Sequence, residues 1–309
     1  MCGIVGLFLK DPALEPRLGE LLSAMLITMT DRGPDSAGIA IYGKPVPRRM
    51  KLTLQFDRPQ EDFDGLAEQL EHLSGDAVTV SLKSSHAVVQ LPAEALDDAR
   101  AFLRRALPSI RMMSAGESVE IYKEVGLPQE VVARFDIRSM AGTHGIGHTR
   151  MATESAVTTL GAHPFSTGPD QCLVHNGSLS NHNNLRRELA RAGIRFETEN
   201  DTEVAAAYLT ARMAKGRNLG EALEDGLCDL DGFFTFVVGT RTGFGVLRDP
   251  IACKPAVMAE TTSYVAFGSE YRALVDLPGI DGARIWEPEP ASVYFWDRDR
   301  LAGESTLAA

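Results

Sequence analysis

The chain has 309 residues, 44% of them hydrophobic and 24% charged, the profile of a soluble globular protein with enough length for a large core. Its net charge of -11 argues against nucleic acid or an anionic membrane surface as a partner. The cysteines Cys2, Cys172, Cys228 and Cys253 stand far apart, without CxxC or Cys/His clustering. That excludes a metal site, whether zinc or iron-sulfur, built from this chain alone, and reads as reduced thiols in a cytoplasmic protein. No stretch approaches the roughly 18 apolar residues of a membrane span, so no membrane partner is expected.

Residues 4–9 predict a buried strand, and Leu14, Leu18, Leu21, Leu22, Met25 and Met29 recur at helical spacing, predicting a helix over 14–29. A loop rich in turn formers, from Thr30 to Gly38, leads into a second strand at 39–42. From about 44 to 140 the pattern predicts an inserted α+β lobe, with strands at 77–82, 86–91 and 118–125 and an amphipathic helix over 93–107. The lobe carries no motif with assignable chemistry, which favours packing or docking as its role. Beyond it come a strand at 172–174, helices near 182–192, 202–214 and 219–229, and strands at 233–239, 245–248, 264–267 and 292–296. Strands, then helices, then strands again predict sheet layers covered by helices, in one domain over 1–309 that contains the lobe.

Cys2 follows Met1 directly. Methionine is readily trimmed before a small second residue, so the mature chain is expected to begin with a thiol and a free α-amino group on one residue. A thiol of pKa about 8.5 is only a few per cent thiolate at neutral pH and needs a neighbouring base. An α-amino group titrates near about 7.7 to 8.0, which suits it to that task without a catalytic histidine.

Further segments supply what a cysteine amidase needs. Arg150, at the end of the small-residue strand Gly145-Ile-Gly-His-Thr-Arg150, is suited either to bidentate binding of a substrate carboxylate or to a surface ion pair. In Val174-His-Asn-Gly177 the Asn176 side-chain NH2 and the Gly177 N–H can form an oxyanion hole, although Asn-Gly is also the commonest hairpin turn. Asp201, in Asn200-Asp-Thr-Glu203, can meet a substrate ammonium while Asn200 and Glu203 keep capping-box spacing. The backbone of Arg32-Gly-Pro-Asp-Ser-Ala-Gly38 can lie against Cys2 and hold it.

In this order, behind Met-Cys-Gly-Ile-Val-Gly, the segments resemble the class II glutamine amidotransferases, whose glutaminase domains are N-terminal-nucleophile hydrolases. The resemblance adds His163-Pro164-Phe165, Leu247-Arg-Asp-Pro250 and Phe267-Gly-Ser-Glu270, and covers residues 1–43 and about 141–297. It implies an α+β fold, a four-layer αββα sandwich, with Cys2 as nucleophile and Asn176 and Gly177 as oxyanion hole. It further implies Arg150 on the glutamine α-carboxylate, Asp201 on its α-amino group, Thr153 in the pocket wall, and Arg32 and His163 in support. Met151 and Glu154 depart from residues common at those positions, which puts gating or partner coupling in doubt rather than the chemistry.

Most such proteins carry a synthase domain on the same chain, and here the expectation is that the synthase is a separate polypeptide. The long insert resembles stand-alone amidotransferase subunits of glutamate-synthase-like systems, such as the small subunit of N-methylglutamate synthase. That implies no cofactor in this chain, and flavin and iron-sulfur clusters on partner subunits that resemble glutamate synthase parts. The alternatives are a regulatory or scaffolding subunit without turnover, and a stand-alone amidase acting on another amide.

Overall fold

The computed structural model describes residues 2–58, 65–152 and 156–301. The chain opens with β1 (Gly3–Leu9), α1 (Leu18–Thr28) and β2 (Ser36–Tyr42). A lobe follows: β3 (Arg49–Phe56), α2 (Leu66–Ser74), β4 (Thr79–Lys83), β5 (His86–Pro92), α3 (Leu96–Ala106) and β6 (Ile110–Gly116). Next come β7 (Val119–Val125), α4 (Pro128–Arg134), β8 (His144–Arg150), β9 (Phe165–Gly168) and β10 (Gln171–Leu179). Three helices, α5 (His182–Arg191), α6 (Asp201–Ala214) and α7 (Leu219–Asp229), lead to β11 (Gly232–Gly239) and β12 (Gly243–Arg248). The last strands are β13 (Val257–Glu260), β14 (Tyr264–Gly268), β15 (Arg284–Trp286) and β16 (Ser292–Asp297).

A seven-stranded sheet of order β15-β13-β14-β1-β8-β2-β7 packs on a five-stranded sheet of order β16-β12-β11-β10-β9. Side-chain alternation along β1 explains the layering. Ile4 and Phe8 enter the core between the sheets with Val174, Val237 and Phe244, whereas Val5, Leu7 and Leu9 face the other way, onto the apolar side of α1. On the far side, Leu173, Phe234, Phe236 and Val238 pack under α6 and α7. The result is the αββα sandwich, an α+β fold with both sheets antiparallel throughout the described strands.

Several elements differ from their sequence-based bounds. The helix expected over 14–29 is a 3-10 turn, Pro12–Arg17, followed by α1, because proline rings lack the N–H that a continuous α-helix needs. The lobe expected at about 44–140 has its own sheet, β4-β5-β3-β6, only over 49–116. Residues 119–125 instead pair with β2, and Val131 and Val132 of α4 join the core beneath α1. Val119 and Ile121 reach the inter-sheet core while Tyr122 reaches the α1 side, so this strand is built to be covered on both faces.

The largest difference concerns Asn176-Gly177, which is not a hairpin turn. β10 runs on to Leu179 and stays in register with β11 across the dipeptide, Asn176 opposite Thr235 and Gly177 opposite Phe234. Gly177 has φ +141°, and a Cβ there would stand 1.9 Å from the Phe233 carbonyl oxygen, so both conformation and space demand glycine.

Gly6 sets the spacing of the two sheets, since a Cβ there would come within 2.8 Å of the Phe244 ring. Gly6→Ala is expected to cost roughly 1–3 kcal/mol through overpacking, read as a lower midpoint in urea denaturation with an unchanged slope.

Candidate active site

Cys2 stands immediately before the central strand β1, whose start is fixed by a reciprocal pair: Ile4 N–H donates to Ser269 Oγ at 2.9 Å, and Ser269 N–H donates to the Ile4 carbonyl at 2.9 Å. The Cys2 carbonyl accepts from Arg32 Nε at 3.0 Å and from Asn176 Nδ2 at 3.2 Å. Arg32 is buried and ion-paired to Glu270 at 2.7 Å. Glu270 also meets Arg272 at 2.6 Å, and Arg272 reaches Asp31 at 3.3 Å. The Arg32 hydrogen bond, with Arg272 beside it, holds the Glu270 carboxyl below its ordinary range. The thiol sulfur lies 4.0 Å from the Met151 carbonyl oxygen.

A cavity of about 760 Å³ opens at the thiol, and Cys2, Arg150, Asn176, Gly177 and Asp201 all line it. His163 forms part of its wall. Thr153 lies outside the described residues. Arg150 is buried rather than at the open surface; its guanidinium donates to the Ala156 carbonyl at 3.3 Å. Its backbone is tied to the 32–38 loop, with Asp35 N–H on the Arg150 carbonyl at 3.1 Å and the Asp35 carboxylate accepting from Ala152 N–H at 2.7 Å.

Asp201 is the first residue of α6, and Asn200 caps that helix by accepting from Thr202 N–H at 2.9 Å. The capping box is not completed. Glu203 turns away to accept from Glu197 N–H, Thr198 N–H and Thr198 Oγ1 at 2.7, 2.8 and 2.7 Å, which shapes the loop at the cavity edge. Burial pushes the Asp201 carboxyl up, but His175 and the Leu179 N–H, which donates at 2.9 Å, outweigh it and hold the group at about 2. It is therefore anionic at neutral pH, and the residue lines the cavity.

A buried polar network that sequence reasoning did not find supports this face. His163 Nε2 lies 2.8 Å from Thr202 Oγ1 and its Nδ1 lies 2.9 Å from His148 Nε2. His148 Nε2 also lies 3.1 Å from the His175 carbonyl, and His175 Nδ1 lies 3.1 Å from Thr202 Oγ1. Burial pushes His148 down to about 3 and His163 well below its ordinary value, so both rings are neutral hydrogen-bonding spacers. The available signal was a histidine inside each of two strands next to a chosen residue, His148 near Arg150 and His175 before Asn176.

Known proteins resemble this chain in sequence and in fold. A family model for a glutamine amidotransferase domain matches residues 148–276. The glutamine amidotransferase-like protein GlxB of Rhizobium meliloti is 72% identical over 302 residues, covering 98% of this chain and 100% of that protein. The chain belongs to the glutamine amidotransferase family. Its fold is shared with a glutamine phosphoribosylpyrophosphate amidotransferase from B. subtilis (TM-score 0.61, 19% identity), with 96% of this chain and 48% of that one aligned. It is also shared with a structure described as the allosteric regulatory enzyme of purine biosynthesis (TM-score 0.63, 19% identity, 96% and 47%). The amidotransferase chain thus spans about half the length of these two solved chains.

The cavity wall thus carries the Arg150 guanidinium, the Asp201 carboxylate and the Asn176 amide together with the Cys2 thiol. Asn176 commits one amide hydrogen to the Cys2 carbonyl, and its NH2 carries a second.

The depressed Asp201 carboxyl also has a stability consequence. Its contribution is fully present above its unfolded pKa of about 3.9 and is lost as pH falls toward about 2. Asp201→Asn should therefore cost roughly 1–2 kcal/mol at neutral pH, a difference that shrinks below pH 4; thermal unfolding at stepped pH measures it.

Proposed function

We propose that the protein is the glutaminase component of an amidotransferase, acting through Cys2 as an N-terminal nucleophile. The observation that carries the reading is the convergence of Cys2, Asn176, Arg150 and Asp201 on one cavity, although the four come from separate parts of the chain. In this reading Met1 is removed. The Arg150 guanidinium takes the glutamine α-carboxylate and the Asp201 carboxylate takes its α-ammonium, with Thr153 also contributing to the wall.

Held at both charged groups, the side-chain amide extends toward the thiol. The α-amino group of Cys2 accepts the thiol proton, directly or through one water, and Sγ attacks the amide carbon. Asn176 Nδ2 and the Gly177 N–H stabilise the tetrahedral oxyanion. The C–N bond then breaks, and ammonia leaves with the proton carried by the α-amino group. Water, deprotonated by the same amine, cleaves the γ-glutamyl thioester and releases glutamate. Arg32 holds the Cys2 carbonyl throughout, and His163 braces the loop beside it.

Cys2→Ala is expected to abolish glutamate release from glutamine, whereas Asn176→Ala should lower kcat by about 10²–10³-fold with KM changed far less. Retention of full glutaminase activity by Cys2→Ala would overturn the reading. Intact-mass analysis separates it from a non-catalytic scaffold, because a retained Met1 would convert the amine into an amide and remove the base.

The nitrogen is proposed to pass to a separate synthase subunit resembling parts of glutamate synthase, in an N-methylglutamate synthase-like complex whose flavin and iron-sulfur clusters reside on the partners. The support is the resemblance of the insert-bearing chain to such stand-alone subunits. Affinity capture from native extract should bring down coloured partners with flavin and iron-sulfur absorption. A colourless chain that hydrolyses glutamine alone would remove the complex and leave the glutaminase.

A further inference from the structure

A second cavity, of about 380 Å³, lies between the lobe and the sandwich. The lobe helix α3 contributes Arg100 and Arg104 and the loop before α6 contributes Arg195, beside Lys123 of β7, whose amine burial pushes down to about 7. The arginine side chains have few fixed partners. Arg100 Nε is buried without a hydrogen-bond partner, and its guanidinium comes no nearer than 3.7 Å to Asp97, a residue 93% exposed. Among the described residues, the side chains of Arg104 and Arg195 make neither a hydrogen bond nor an ion pair, and the Arg104 charge is felt at Glu197.

Two carboxylates, Glu197 and Glu203, share the cleft and offset part of this charge. Glu203 is engaged by the three donors of residues 197 and 198. Burial, and then the charge of Glu203, push the Glu197 carboxyl up from its ordinary value, which reduces its readiness to carry charge. A guanidinium with a buried, unpartnered N–H is costly to leave so, and is satisfied by an acceptor oxygen entering the cleft. The volume falls at the lower end of the range that holds small ligands.

The cleft adjoins the cavity at Cys2. Leu160, Glu197 and Thr198 line both. The partition between them is the segment 160–164, and the Lys123 ammonium pins it from the cleft side by donating to the carbonyls of Leu160, Ala162 and Pro164 at 3.3, 2.8 and 3.2 Å. His163, in the middle of that segment, faces the Cys2 cavity and bonds Thr202, the neighbour of Asp201.

We propose that the cleft between lobe and sandwich is a second ligand site, for a small anion bearing two or more carboxylate or phosphate groups, and that its occupancy adjusts the glutamine pocket through the 160–164 partition. An anion drawn to Arg100 and Arg104 pulls α3 toward Lys123 and the partition, and the wall carrying His163 shifts with them. The second clause rests on the glutaminase reading, whereas the ligand site does not.

The test is titration calorimetry of the full chain with citrate and with pyrophosphate at fixed ionic strength, paired with the rate at which 6-diazo-5-oxo-norleucine, a glutamine-shaped alkylating probe, labels Cys2. One saturable site per chain for at least one probe is expected, weakened at least tenfold in Arg100→Gln/Arg104→Gln. Saturating anion should change the labelling rate at least threefold in the wild type and leave the variant unchanged. Arg195→Gln, on an exposed loop, repeats the test if the double variant does not fold. Absence of saturable binding, or binding that survives the arginine substitutions, overturns the site. Binding lost in the variants with labelling indifferent to the anion overturns the coupling. A wild-type Cys2 that is never labelled overturns the glutaminase reading, and the calorimetry still decides the cleft.

Discussion

The main-chain carbonyl of Cys2 is held from two sides, by Arg32 from the loop after α1 and by Asn176 from the facing sheet. Residues near a chain end ordinarily fray unless they are tied down. Here Arg32 is itself buried against Glu270, and the next residues enter the middle of a seven-stranded sheet through the Ile4–Ser269 pair. The thiol thus inherits the rigidity of two sheets, and the remainder of the cavity is assembled around a point that cannot drift.

Close backbone approach makes that clamp possible. Gly6 lets the two sheets meet at Phe244, and Gly177 lets β10 lie against the Phe233 carbonyl while the strand turns its Asn176 side chain toward Cys2. A side chain at either place would separate the surfaces that bring Arg32 and Asn176 to one carbonyl. The neutral histidines behind the cavity serve the same end by other means. His148, His163 and Thr202 join β8, the 160–164 segment and α6 through directional bonds in a buried region, so Arg150 and Asp201 keep their places in the wall.

The lobe adds charge to a cleft that the sandwich also lines with Lys123, Arg195, Glu197 and Glu203. Its α3 brings arginines to a cleft that the 160–164 segment divides from the Cys2 cavity, and Lys123 fixes that divider from a strand that belongs to the sandwich itself. Lobe and sandwich are joined by the Lys51–Glu120 ion pair at 2.8 Å and by Val88 and Met113, lobe residues that pack into the sandwich's apolar clusters, while the lobe keeps an apolar cluster of its own.

The amino-acid sequence by itself determined the layered α+β class, most of its strands and helices, and the short segments around Cys2, Arg32, Arg150, Asn176 and Asp201. Hydrophobic periodicity and rare residue combinations are local, and those properties are written locally. Only the tertiary structure decided that Asn176-Gly177 is strand rather than turn, since the register with β11 comes from residues more than fifty positions away. The same holds for Glu203, which leaves its predicted cap for Glu197 and Thr198, and for 119–125, which leaves the lobe for β2. His148, His175 and Thr202 were passed over for the same reason: each is unremarkable among its sequence neighbours, and only a fold that buries all of them together makes their hydrogen bonds obligatory.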